Sequence, residues 1–211
     1  MKKLMSGLVL VLALAATVAF SATTPTNSFS EVEMLIPNQK PMTQDFYTDG
    51  TNMRMEMYQG TGAGKVLSMI NIYKGDYMYM INPAQKTAMK MNVKSMMQGQ
   101  KKDEAPKCDK WIDCVKQIPN ATVTERGKEN WEGQEYTVYR VTDNKTKSYV
   151  DYYVDSKGMV KRWLSYDDKG KLLADTRLVK FEAGKALPAG IFDIPAGYQI
   201  MDMSQMPGMP H

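Results

Sequence analysis

Apolar and polar residues alternate with a period of two along most of this chain. In "TNMRMEMYQG", Met53, Met55 and Met57 fall on one face, with Asn52, Arg54, Glu56 and Tyr58 on the other. That period is the signature of a half-buried strand. "GTGAGK" interrupts it, because glycine disfavours regular strand. "VLSMINIY" predicts the next strand, "KGD" a tight turn, "YMYMI" a further strand, "NPAQK" a second turn, and "TAMKMNV" the strand after that. These are hairpins in series. Arg54, Glu56 and Lys90 lie between the methionines and are expected on a solvated face.

The alternation stops near Val93. The stretch "VKSMMQGQKKDEAPKCDKWIDCVKQI" predicts one or two short helices divided around Pro106, with Trp111, Ile112 and Val115 as an apolar stripe. Strands resume at "ATVTERGKENWEGQEYTVYRVT" and continue through "KSYVDYYVD", "MVKRWLSY" and "KLLADTRLVKF" to "LPAGIFDIPAGYQIMDM". About ten antiparallel strands with one helical interruption predict an α+β fold. Twist accumulates along so long a sheet. The expectation is a single strongly curved antiparallel sheet, a half-barrel, covered by the short helical insertion.

The N-terminus adds a compartment. Lys2 and Lys3 precede an apolar run, and Ala19 and Ser21 are small residues at the −3 and −1 positions of a cut after Ser21. Residues 1–21 are therefore expected to be a secretory signal peptide, giving a periplasmic mature chain. Removing Lys2 and Lys3 lowers the formal charge from +4 to +2, too little to favour nucleic acid. No second apolar run is long enough to span a bilayer. The two cysteines, Cys108 and Cys114, are expected to pair in an oxidising compartment. On a regular helix a spacing of six places them on different faces, so a bridge implies a bent helix or a loop.

Familiar catalytic arrangements do not emerge. The sole histidine is His211, in the proline-containing stretch "SQMPGMPH", and a nucleophile–base pair would have to recruit it from there. "GTGAGK" lacks the Gly-Lys-Ser/Thr ending of a phosphate loop. Asp167 and Asp168 are adjacent in "YDDKG" and fit a turn. The expectation is a non-enzymatic protein without a cofactor.

The compositional signal is methionine: 19 residues, of which Met1 and Met5 fall in the leader. Three readings stay open. Methionine fills irregular cores. Its unbranched, polarizable chain also suits a surface that repacks around varied apolar guests; Met53, Met55, Met57, Met78, Met80, Met89 and Met91 would then line a ligand cavity. Thioethers also bind Cu(I) in preference to hard cations. In that alternative the C-terminal Met201, Met203, Met206, Met209 and His211 contribute a site.

Four stretches, "DGTNMRMEMY", "KGDYMYMINPAQKTAMKM", "GKENWEGQEYTVYRV" and "FDIPAGYQIMDM", and their order along the chain, carry a resemblance. From about Phe29 to Met203 the chain resembles the LolA/LolB-like superfamily of periplasmic lipoprotein-sorting carriers, in a methionine-rich branch. The resemblance implies one half-barrel domain over 22–203 followed by a flexible Met/Pro tail, 204–211. It also implies an apolar cavity under covering helices, which in the sorting carriers receives lipoprotein acyl chains. The implied partners are a lipid-like or apolar ligand and envelope proteins or lipoproteins. Arg54 lies in the strand region where the carriers place a cavity-closing arginine, although its flanking residues differ.

Overall fold

The structure, a computed structural model, describes residues 27–93 and 111–203. Among these residues twelve strands follow in chain order: β1 (Ser28–Leu35), β2 (Met42–Thr48), β3 (Met53–Gln59), β4 (Val66–Lys74), β5 (Tyr77–Asn82), β6 (Thr87–Asn92), β7 (Ala121–Trp131), β8 (Gln134–Asp143), β9 (Tyr149–Val154), β10 (Val160–Tyr166), β11 (Leu172–Ala183) and β12 (Gln199–Asp202). A short helix, α1 (Trp111–Val115), precedes β7. The strands form one open sheet in the order β12-β6-β5-β4-β3-β2-β1-β11-β10-β9-β8-β7, so it is not closed into a barrel.

The hairpins expected from alternation are present as antiparallel pairs from β3 through β6 and from β7 through β11. Two differences stand out. The antiparallel expectation fails at β12, which lies parallel to β6. β1 and β2 add two strands before the first one predicted. On β1, Ser28, Ser30, Val32 and Met34 are all buried. Small polar residues at interior positions hide that strand from a hydrophobic count. The expected leader, most of the stretch after Val93 in which helices are expected, and residues 204–211 lie outside the described residues.

By contacts the described chain forms two compact units: 34–39 with 111–179, and 27–33 with 40–93 and 180–203. In the first unit, Trp111 of α1 packs on Tyr152 and Tyr139, with ring centroids 4.7 and 6.4 Å apart. The opposite face of the same strands buries Tyr136, Val138, Tyr153 and Leu164. Long charged side chains close over this second face. Arg140 grips Asp151 with two bonds of 2.7 Å, and Arg162 grips Asp175 with bonds of 2.9 and 2.7 Å. Such forked pairs are the strong class of charge-assisted hydrogen bond. The aliphatic stems of these arginines cover apolar surface that the sheet alone leaves open.

The second unit has a different core. Ile70, Ile72, Ile81 and Ala88, from β4, β5 and β6, are all but inaccessible to solvent. Phe192, Ile194 and Tyr198 pack against them. These three come from the "IFDIPAGY" stretch, which runs as irregular chain between β11 and β12. Gly190 opens this segment with a φ of 71°. A side chain there would be strained, and its Cβ would stand 3.2 Å from the Asp193 carboxylate. Phe192, Ile194 and Tyr198 together make the lid of the isoleucine core.

Candidate functional site

The strand registers of the second unit put the methionines in rows. Met53 faces Tyr73 across the β3/β4 pair, Tyr73 faces Met78, and Met78 faces Met91. In the next row Met55 faces Asn71, Asn71 faces Met80, Met80 faces Met89, and Met89 faces Met201 of β12. Met57 faces Met69. Directly opposed residues share a sheet face, so all seven strand methionines expected at a site stand together, with Met69 and Met201 added. Each is half-buried. The rows contain no charged side chain; their other members are Tyr73 and Asn71.

These methionines are turned away from the isoleucine core, because Ile70, Ile72, Ile81 and Ala88 occupy the alternate positions of the same strands. The solvated role expected for Arg54 and Glu56 is therefore corrected: both are 8% exposed and belong to the covered face. They are tolerated there because they pair. The Arg54 guanidinium donates to Glu56 at 2.7–2.8 Å and to the Ile191 carbonyl at 3.0 Å. The Tyr58 hydroxyl donates to the other Glu56 oxygen at 2.5 Å. Lys90 is also committed, to Asp202 at 3.0 Å, with its ammonium 4.2 Å above the Tyr77 ring.

Beside this pair lies a second cluster. Lys65 bonds Asp45 at 2.9 Å and Glu31 at 3.3 Å, and sits 4.4 Å over the Tyr58 ring. Burial pushes the Asp45 carboxyl up, against the pull of Lys65. Burial presses on Lys65 in the opposite sense, but its bonds to Asp45 and Glu31 leave its pKa raised. Burial, with Glu56 next in weight, pushes the Tyr47 hydroxyl up to about 12, and Tyr58 rises for the same two reasons. Each charge has a partner, so the cluster ties β1, β2 and β3 together, and its acids and bases are already engaged with one another.

A cavity of about 330 Å³ opens beside the covering segment, lined among others by Asn27, Asn52, Lys74, Leu187, Ile191 and Asp193. A 2.6 Å ion pair between Lys74 and Asp193 sits at its edge. None of the seven methionines expected at a ligand cavity lines it. Of the C-terminal set, Met201 and Met203 are described and half-buried. Met206, Met209 and His211 lie outside the described residues. Cys114 is not free; Cys108 lies outside the described residues. Sequence reasoning missed Met69, a lone methionine within "VLSMINIY"; its alternation with Asn71 was available, but a register shift turns Leu67 to the isoleucine core.

Among the described residues no helix is long and apolar enough to cross a membrane, and no group of three or more His, Cys, Asp or Glu side chains is arranged to hold a metal ion. No curated protein matches the chain. An uncharacterized conserved protein from Thermus thermophilus shares the fold at 13% identity, with a TM-score of 0.58 over 91% of this chain and 98% of that one. MucB in the MucA/MucB complex of Pseudomonas aeruginosa is similar at 14% identity and a TM-score of 0.50, over 90% of this chain and 62% of that one. A LolA superfamily protein from Nitrosomonas europaea is matched more loosely, at 11% identity and a TM-score of 0.35, over 86% of this chain and 95% of that one. Residues 30–157 match the family model described as Domain of unknown function (DUF4412); the chain belongs to that family.

Proposed function

We propose that this protein is an exported, periplasmic, non-enzymatic binding protein that holds a lipid-like or other apolar ligand against the methionine rows of β3 to β6. One observation carries the reading. Met53, Met55, Met57, Met78, Met80, Met89 and Met91 share a single uncharged, half-buried face, while the packed core lies on the other. Uncharged thioethers left partly open, and free to change rotamer, suit apolar guests of varied shape. Covering about 300 Å² of acyl surface at about 25 cal/mol per Å² supplies about 7 kcal/mol before association costs. A protein of similar fold, MucB, is solved in complex with MucA, so envelope proteins are a second class of partner to test.

The test is a fluorescent fatty-acid probe titrated into the mature protein. The variant with Met55, Met57, Met78 and Met80 all changed to leucine keeps volume and apolarity and should retain binding. Met55→Lys with Met80→Lys should abolish it. No binding by the wild type, or binding untouched by the two lysines, overturns the reading.

A further inference from the structure

The parallel pairing of β12 with β6 brings a C-terminal methionine onto the strand set. Met201 lies directly opposite Met89, and Met89 directly opposite Met80. Met91 is two residues along β6 on the same face, opposite Met78. Met89 is thus surrounded by thioethers on three sides. The register is held in place from the reverse face, where Lys90 bonds Asp202 at 3.0 Å, and at the strand start, where the Gln199 amide donates to the Lys86 carbonyl at 2.9 Å.

We propose that Met80, Met89, Met91 and Met201 form a soft-metal site that takes Cu(I), with Met89 at its centre. Opposed Cβ atoms stand about 5 Å apart, and positions two along a strand about 7 Å apart. Sulfurs bound at about 2.3 Å around one ion stand about 4 Å from each other. Closing that difference needs only an inward lean of side chains with three rotatable bonds. All four side chains are half-buried, so an ion reaches them without unfolding the sheet. The chemistry selects the metal. Neutral thioethers are soft donors that favour Cu(I). Among the described residues hard cations find no anionic oxygen here, because the carboxylate of β12, Asp202, points to the other face and bonds Lys90. The site stands independently of the apolar-ligand reading, which rests on the whole face.

The test is an anaerobic Cu(I) titration of the mature full-length protein against bicinchoninate. One Cu(I) per chain is expected. Met89→Leu should weaken binding at least tenfold, and Met80→Leu with Met201→Leu should do the same. Met53→Leu with Met57→Leu, on the same face but at β3, should change nothing. A second readout does not depend on any variant folding. In wild-type protein carrying 13C-methyl methionine, Cu(I) should shift the methyl signals of Met80, Met89, Met91 and Met201 and leave those of Met53 and Met57 in place. Absence of binding overturns the proposal. So does a loss confined to the variant Met206→Leu, Met209→Leu, His211→Ala with Met89→Leu unaffected, which moves the site to the tail.

Discussion

Replacing Arg54 with methionine tests which face of the β3–β6 strands is the covered one. Arg54 and Glu56 have side chains only 10% and 11% exposed. Removing one partner of such a pair leaves a buried charge uncompensated, at a cost of about 3–5 kcal/mol. Glu56 keeps the Tyr58 hydroxyl as a donor, which places Arg54→Met at the lower end, about 3 kcal/mol. With a urea dependence of about 2 kcal/mol per M, the unfolding midpoint should fall by about 1.5 M. Adding Glu56→Gln to Arg54→Met removes the orphan charge and preserves an acceptor for Tyr58. It should restore about half of the loss, so that the double variant is more stable than the single one. Far-UV circular dichroism in urea follows the strands. Tryptophan fluorescence does not serve, since Trp111, Trp131 and Trp163 all belong to the other unit. A cost below about 1 kcal/mol for Arg54→Met, near the value of an exposed pair, would refute the burial argument, and with it the placing of the methionines on the open face.

Three further outcomes are expected. Thiol labelling of the unfolded, unreduced protein should find no free cysteine, and reduction should destabilise by about 2–3 kcal/mol for so short a loop; two labelled cysteines in periplasmic protein would reject the Cys108–Cys114 bridge. Burial raises the Asp175 carboxyl, but hydrogen bonds from Arg162 and Arg177 outweigh it and hold its pKa below 3.8. Its contribution is therefore complete above that value and lost as pH falls through the folded pKa; Asp175→Asn should flatten this part of the acid-unfolding curve. Tyr47 titrates at about 12 in place of 10, so its contribution is present below pH 10 and lost between 10 and 12. Tyr47→Phe should lessen the alkaline slope, which other raised tyrosines such as Tyr58 share, and an unchanged slope would show that the Tyr47 hydroxyl is not buried.

Period two groups residues by face, and in this respect the methionine sets were legible: Met53 with Met55 and Met57, Met78 with Met80, Met89 with Met91. Period two does not say which face is covered. That depends on what lies over the strands, and the cover here is Phe192, Ile194 and Tyr198, about a hundred residues away in the chain. Arg54 and Glu56 mimic a solvated face because ionised side chains are usually exposed; only their mutual geometry makes burial tolerable. The parallel pairing of β12 was hidden for a related reason. A four-residue strand carries little periodic signal, and its partner β6 is specified by long-range pairing alone.

That pairing has a consequence in time. Lys90 and Asp202, which fasten β12 to β6, are 112 residues apart. A chain that emerges from its N-terminus first presents β2 to β6 long before the segment that covers their isoleucines and the strand that seals their edge. During that interval β6 is a bare sheet margin whose free amide and carbonyl groups are a template for another chain. Slow closure over so large a separation lengthens the exposure. A product truncated before Gln199 never leaves that state. Its expected fate is edge-to-edge aggregation in proportion to concentration, and a holdase that shields β6 until residue 202 arrives would suppress it.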